Sequence, residues 1–139
     1  MLDLKALLTK LTQCANTRYL LWTNPTSTSG MASNTTVSLD LSDYDLVEII
    51  FWKSSNAGRR YECSNVSSVP SSGALSTFEI TNGSATTMLL RTYTVTTTGI
   101  TFSAGYWRGA GDTVTHSAND PAMPIKIYGI KLSKTGGGS

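Results

Sequence analysis

Apolar and polar residues alternate with a period of two along most of this chain, and the phase changes mark its organisation. In RTYTVTTTGITFSAGY, Arg91, Tyr93 and Val95 share one face of a strand, Thr97-Thr98-Gly99 supplies a turn, and Ile100 and Phe102 resume the pattern. The segment predicts a β-hairpin with Gly99 at positive φ. Val37, Leu39 and Leu41 alternate with polar residues, as in a half-buried strand. Val47, Ile49 and Phe51 follow on one parity and Leu46 and Ile50 on the other. This predicts a central strand covered on one face by the partner sheet and on the other by a helix or a neighbouring subunit. Ser54–Gly58 and Pro70–Gly73 mark loops around a strand containing Tyr61 and Cys63. Leu75–Thr81 and Met88–Val95 flank Asn82-Gly83, a dipeptide suited to a tight hairpin turn. In MPIKIYGIKL, Ile125 and Ile127 have one parity, Ile130 and Leu132 the other. A β-bulge at Gly129 would return all four to the core and leave Lys126 and Lys131 in water.

Residues 1–20 are the one helical candidate: Leu4, Leu7, Leu11 and Cys14, continuing to Arg18 and Leu21, follow a heptad a/d spacing, and Asp3 can cap the start. Two heptads do not make an independent coiled coil. Two readings stay open: a helix packed on its own β-domain, or the end of a fibre stalk that sets three β-domains side by side, with Leu4, Leu7, Leu11 and Cys14 as the interface. In the second, Met1 is a start codon added to a fragment. Residues 21–134 then form an all-β domain, an antiparallel β-sandwich of jelly-roll-like type, and 135–139 read as a flexible linker or expression remnant.

The blocks Leu21-Trp22-Thr23-Asn24-Pro25, LDLSDYDLVEIIF from Leu39 to Phe51, RTYTVTTTGITFSAGY and PIKIYGIKL together resemble the C-terminal β-domain of tail-fibre or minor structural, receptor-binding proteins of phages and prophages of Gram-positive bacteria. The resemblance covers about Leu21 to Leu132. It implies a virion component of the distal tail, made in the host cytoplasm and acting outside it. It further implies a homotrimer joined to the rest of the fibre, which meets the host surface. It brings no set of binding residues with it.

Composition narrows the chemistry. Charged residues make up 14% of the 139 and the net charge is +2, too little for a phosphate-binding footprint. Arg59-Arg60 is the one adjacent basic pair, so nucleic acid is not an expected partner. Serine and threonine form roughly a quarter of the chain, and threonines such as Thr92, Thr94, Thr96 and Thr101 can cover the solvent face of a sheet without charge. Cys14 and Cys63 read as reduced thiols, with no cysteine–histidine cluster for zinc. MLDLKALLTKLTQ is too short and polar for a signal peptide or a membrane span. No cofactor is implied.

Reactive groups are few. His116 is the sole histidine and no G-x-S-x-G elbow is present, which disfavours a hydrolytic triad. Glu48, Glu62 and Glu79 fall in strands and could meet across a sheet as a glycosidase pair, although nothing in the sequence places them together. Asp40, Asp43 and Asp45 cluster as in a calcium site but lack the glycine-containing twelve-residue loop, and an aspartate-rich turn explains them equally well. The better candidate is aromatic: Tyr106, Trp107 and Arg108 open a long glycine-rich loop, where rings can stack on sugar C–H faces and the guanidinium can orient hydroxyls. The alternative is that Trp107 packs on the rim of the sheet or on a neighbouring subunit. Trp52, with Arg59 and Tyr61, repeats the arrangement more weakly. The expectation is a non-enzymatic attachment domain for a host glycan or cell-wall polymer; a purely structural trimerisation or capping module is the alternative.

Overall fold

The computed structural model describes residues 3–5, 17–27, 30–52, 61–81 and 85–132. The elements among them are strands: β1 (Thr17–Thr23), β2 (Thr35–Ser38), β3 (Leu46–Trp52), β4 (Glu62–Ser68), β5 (Ser71–Thr81), β6 (Ala85–Thr96), β7 (Gly99–Gly109), β8 (His116–Ala118) and β9 (Pro124–Lys131). They form two antiparallel sheets. Sheet A runs β1-β9-β3-β4; sheet B runs β2-β7-β6-β5, with β8 added to β7. β1 with β9 and β2 with β7 nest the two ends of the chain across both sheets in jelly-roll fashion, while β3–β4 and β5–β6–β7 stay local meanders. The core is the inward parity of each strand: Val47, Ile49 and Phe51 of β3 and Ile127 of β9 meet Tyr93 and Val95 of β6, Ile100 and Phe102 of β7, and Leu75 of β5.

Three expectations change. Of the helix expected over residues 1–20, the last turn is instead strand, since Thr17–Leu20 belong to β1. TRYLLWT is rich in β-branched and aromatic residues and its backbone pairs with β9, so Arg18 and Leu21 belong to a strand. Leu4 is 69% exposed; Leu7, Leu11 and Cys14 lie outside the described residues, as do Arg59 and Met1. Gly129 is no bulge: it stands in register with Tyr19 on one side and Val47 on the other. Ile130 therefore remains on the outer face, half-buried, and Leu132 is exposed. The glycine is needed for another reason, since a Cβ there would lie 2.5 Å from Cδ1 of Tyr44, whose ring covers the strand. The register shifts fall instead at Leu21 of β1 and Ile125 of β9, and at Ser103–Ala104 of β7, where two residues face Thr92 alone.

The third change concerns Gly73, expected in a loop. It lies within β5, which starts at Ser71, because the ring of Tyr93 fills its side-chain space with Oη 2.6 Å from a Cβ position. The hairpin at Gly99 is as expected: Thr96 pairs with Gly99, and at φ +153° the glycine approaches the Val37 carbonyl oxygen to 2.4 Å from where a Cβ would stand. Between β5 and β6 the register pairs Thr81 with Ala85, so three residues separate the strands where Asn82-Gly83 alone predicts two.

Candidate functional site

The shift at Ser103–Ala104 divides the outer face of sheet B. On one side, Thr36, Thr101, Thr94 and Ser72 form a rung across β2, β7, β6 and β5. Thr36 and Thr101 hydroxyls are 2.9 Å apart, and Ser72 and Thr94 hydroxyls 3.4 Å. On the other, Phe78 faces Met88, Met88 faces Arg108 and Leu90 faces Tyr106, so one surface carries two aromatic rings, two aliphatic side chains and a guanidinium. Phe78 is 60% exposed.

The strand-end loop makes this surface concave. Arg108 Nε donates to the Asp112 carbonyl at 3.0 Å, the Gly109 amide donates to Asp112 Oδ2 at 2.9 Å, and the Asp112 amide donates back to the Gly109 carbonyl at 3.1 Å. Gly111 takes φ +87°, a left-handed turn that glycine adopts without strain. The loop so folded borders an open groove of about 610 Å³, lined by Phe78, Thr86, Met88, Arg108, Asp112 and Thr113. Its chemistry is an apolar wall, one guanidinium, one carboxylate, two threonine hydroxyls and the backbone of a glycine turn, a combination suited to a small polar ligand with one apolar face.

Trp107 does not join it. The three residues expected as one loop cluster lie in β7, where neighbouring side chains take opposite faces, so Tyr106 and Arg108 point outward and Trp107 inward. Trp107 stacks on His116 of β8, with ring centroids 4.2 Å apart and planes at 18°, and His116 Nε2 stands 4.0 Å from Asp112 Oδ2. This is the rim-packing alternative. The stack holds the far end of the loop whose near end Arg108 holds, so Trp107 shapes the groove without lining it.

Arg91 is the residue whose role the alternation hides. It follows the inward parity with Tyr93 and Val95 and has 0% exposure. Its guanidinium donates only to carbonyls: Nη1 to Ser103 at 2.6 Å and Met31 at 3.3 Å, Nη2 to Asn119 at 2.6 Å, and Nε to Pro121 at 3.3 Å. Burial, partly offset by the Asp120 carboxylate, brings its pKa down to about 10, so it stays charged at neutral pH. One charged side chain thus satisfies carbonyls from the β7 shift and from two loops that no strand could serve. Gly105 leaves it room, since a Cβ there would lie 2.8 Å from Nη2.

The remaining candidates separate. Trp52 is half-buried against the core and its indole donates to the Ser27 carbonyl at 3.2 Å, while Tyr61 is exposed just before β4. Asp40 Oδ1 accepts from the amide and hydroxyl of Ser42 at 3.1 and 2.6 Å, which holds its carboxyl below the usual value, and Asp45 Oδ2 accepts from the Leu132 amide at 2.9 Å. The first closes a turn, and the second ties the start of β3 to the end of β9. Among the described residues no three His, Cys, Asp or Glu side chains group where an ion could sit. Glu48 binds Arg18 at 2.5 Å and Ser64 at 2.6 Å, while Arg18 lies 3.4 Å over the Tyr128 ring. Glu62 is 3.9 Å from Lys126, four positions along sheet A from Glu48, and Glu79 belongs to sheet B, so the three glutamates do not converge.

Phe78, Met88 and Asp112 are the groove residues that sequence reasoning passed over. Parity marks Phe78 and Met88 as outward, but only the three-residue separation of β5 and β6 sets them on the same face; a two-residue turn would have opposed Phe78 to Thr87. Comparison with protein families, curated proteins and solved structures finds no match for this chain.

Proposed function

We propose that this chain is an attachment domain of a phage tail fibre or related virion part, and that it binds a glycan or cell-wall polymer of the host surface in the groove bordered by Phe78 and Arg108. The observation that carries this reading is the juxtaposition of an exposed ring with a guanidinium whose Nε is already held by the Asp112 carbonyl. A sugar ring presents one C–H face and a periphery of hydroxyls; Phe78 supports the former, and Arg108 Nη atoms, Thr86 and Thr113 serve the latter. A shallow site of this kind is weak alone. Several copies on one fibre raise the effective concentration into the millimolar range, which converts weak contacts into firm adhesion.

The test is binding of the purified protein to a glycan array and to cell walls of Gram-positive hosts. Arg108→Ala and Phe78→Ala are expected to abolish binding while remaining folded, because both side chains stand outside the core. Binding retained by both variants would move the ligand away from this groove, and an absence of wild-type binding across many walls would leave the structural capping role as the better account. Release of reducing ends from purified wall polysaccharide would mark an enzyme instead.

A further inference from the structure

The outer face of sheet B carries a second hollow, of about 470 Å³, lined by Asn34, Ser72, Thr92, Thr94, Thr101 and Ser103. Met88, Leu90, Thr92 and Thr94 alternate along β6, so this hollow and the groove bordered by Phe78 and Arg108 open on the same side of one sheet. Six positions of β6 separate Met88 from Thr94, about 20 Å at the rise of an extended strand. Between the two lies the row Ser76, Leu90 and Tyr106, in which the tyrosine is half-buried. Most hydroxyls of the hollow are engaged within the protein. Thr101 shares a hydrogen bond with Thr36, Ser72 donates to Thr94, and Ser103 Oγ donates to the Ala104 carbonyl while accepting from the Thr92 amide. Two polar side chains are left over: among the described residues, the Asn34 carboxamide and the Thr92 hydroxyl have no hydrogen-bond partner. Asn34 stands just before β2 at φ +58°, a left-handed backbone that asparagine accepts.

The geometry points to a single track, on which one linear and largely neutral polysaccharide lies along β6 with one unit in the groove and a later unit in the hollow, where Asn34 and Thr92 bind its hydroxyls. This rests on the reading of the groove as a glycan site. The chemistry of the face selects the class. Inside the sheet the backbone groups are spent on neighbouring strands, so the face offers side chains alone and gives an extended peptide no ladder to join. Arg108 and Asp112 are the charged residues lining the two concavities, and both belong to the groove. A polymer charged on every unit therefore gains nothing from the rest of the track. Rings at Phe78 and Tyr106, followed by a carboxamide and a hydroxyl, suit the C–H faces and hydroxyl rims that successive sugar units present. A short fragment fills one concavity. A chain that reaches both makes the second contact without a second loss of translational freedom.

Wall polysaccharide of a Gram-positive host, cleaved by mild acid and sorted by length, is the probe, titrated into the full chain by calorimetry. Wild-type affinity is expected to rise at least about tenfold between single-repeat fragments and fragments longer than about 20 Å. Asn34→Gly keeps the left-handed backbone and Thr92→Val keeps the β-branched shape, and both positions are exposed. Combined, they should remove that gain and leave short-fragment binding unchanged, whereas Phe78→Ala should weaken fragments of both lengths. Equal affinity for short and long fragments would overturn the inference, as would a double variant that holds long fragments as tightly as wild type. If Phe78→Ala still weakens binding in either case, the groove remains a glycan site and only the track is lost; a wild type that binds no fragment would remove both.

Discussion

The two halves of the outer face of sheet B share the strands β5, β6 and β7, yet they present opposite chemistry. Across Ser72, Thr94, Thr101 and Thr36 the hydroxyls bond to one another, so the surface is polar but internally satisfied. Across Phe78, Met88, Leu90 and Tyr106 the surface is apolar, and the one charge, Arg108, is drawn toward the Asp112 loop. The border is the two-for-one step at Ser103–Ala104, beneath which Arg91 gathers four carbonyls. A sheet can thus change character midway when a local irregularity re-aims one strand and a buried donor satisfies the groups that it frees.

The largest expected effect comes from removing that seam. Arg91→Leu takes the guanidinium donors from the carbonyls of buried Met31 and Pro121 as well as from that of Ser103, and a loss of about 3 kcal/mol or more in urea unfolding is expected. A loss below about 1 kcal/mol would mean that the shift in β7 holds itself.

Two glycines then set the halves against each other. Gly73 lies under the hydroxyl half, and a Cβ there would meet Tyr93 Oη at 2.6 Å. That ring is fixed by hydrogen bonds from Asn65 and with Ser67, so Gly73→Ala should cost about 1–3 kcal/mol. Gly109, beside the groove, would meet Asp112 Oδ2 at 2.8 Å, the movable end of a side chain, and Gly109→Ala should cost less than about 1 kcal/mol. Equal costs in chemical denaturation would show the two halves to be equally rigid.

Smaller changes sharpen the contrast further. Thr101→Val removes a solvent-exposed hydroxyl pair and should shift stability by about 0.5 kcal/mol or less. Phe78→Ser should be similarly small in stability, within about 0.5 kcal/mol. It should nonetheless reduce binding of a fluorescent apolar dye, because Phe78 is exposed and Thr101 belongs to the polar half; equal dye signals from both variants would contradict the division.

The smallest effect concerns pH. Hydrogen bonds from the Ser42 hydroxyl and amide lower the Asp40 pKa below 3.8, so the turn after Leu39 gains stability that is full above the unfolded pKa and is lost as pH falls through the folded value. Thermal unfolding followed from about pH 5 to pH 2 should show an acid loss that Asp40→Asn reduces; identical profiles would mean that the turn contributes nothing.

Alternation along a strand is local information, set by the extended backbone itself. That is why Val47, Ile49 and Phe51, the Thr97-Thr98-Gly99 turn and the inward set Arg91, Tyr93 and Val95 were legible in the chain and, with them, the antiparallel β-sandwich. Tyr106 and Arg108 were legible as candidates for the same reason, but grouping them with Trp107 mistook sequence neighbours for neighbours in space.

What tertiary structure alone decided are matters of register and contact between distant segments. One added residue between β5 and β6 brought Phe78 and Met88 to a common face; pairing with β9 made Thr17–Thr23 a strand; the Tyr44 ring, not a bulge, called for glycine at 129. Arg91 shows the limit most plainly. Its parity is written in the sequence, but the carbonyls that permit a charge in the core come from residues 31, 103, 119 and 121, and no periodicity within one strand can reveal an environment assembled from three separate segments.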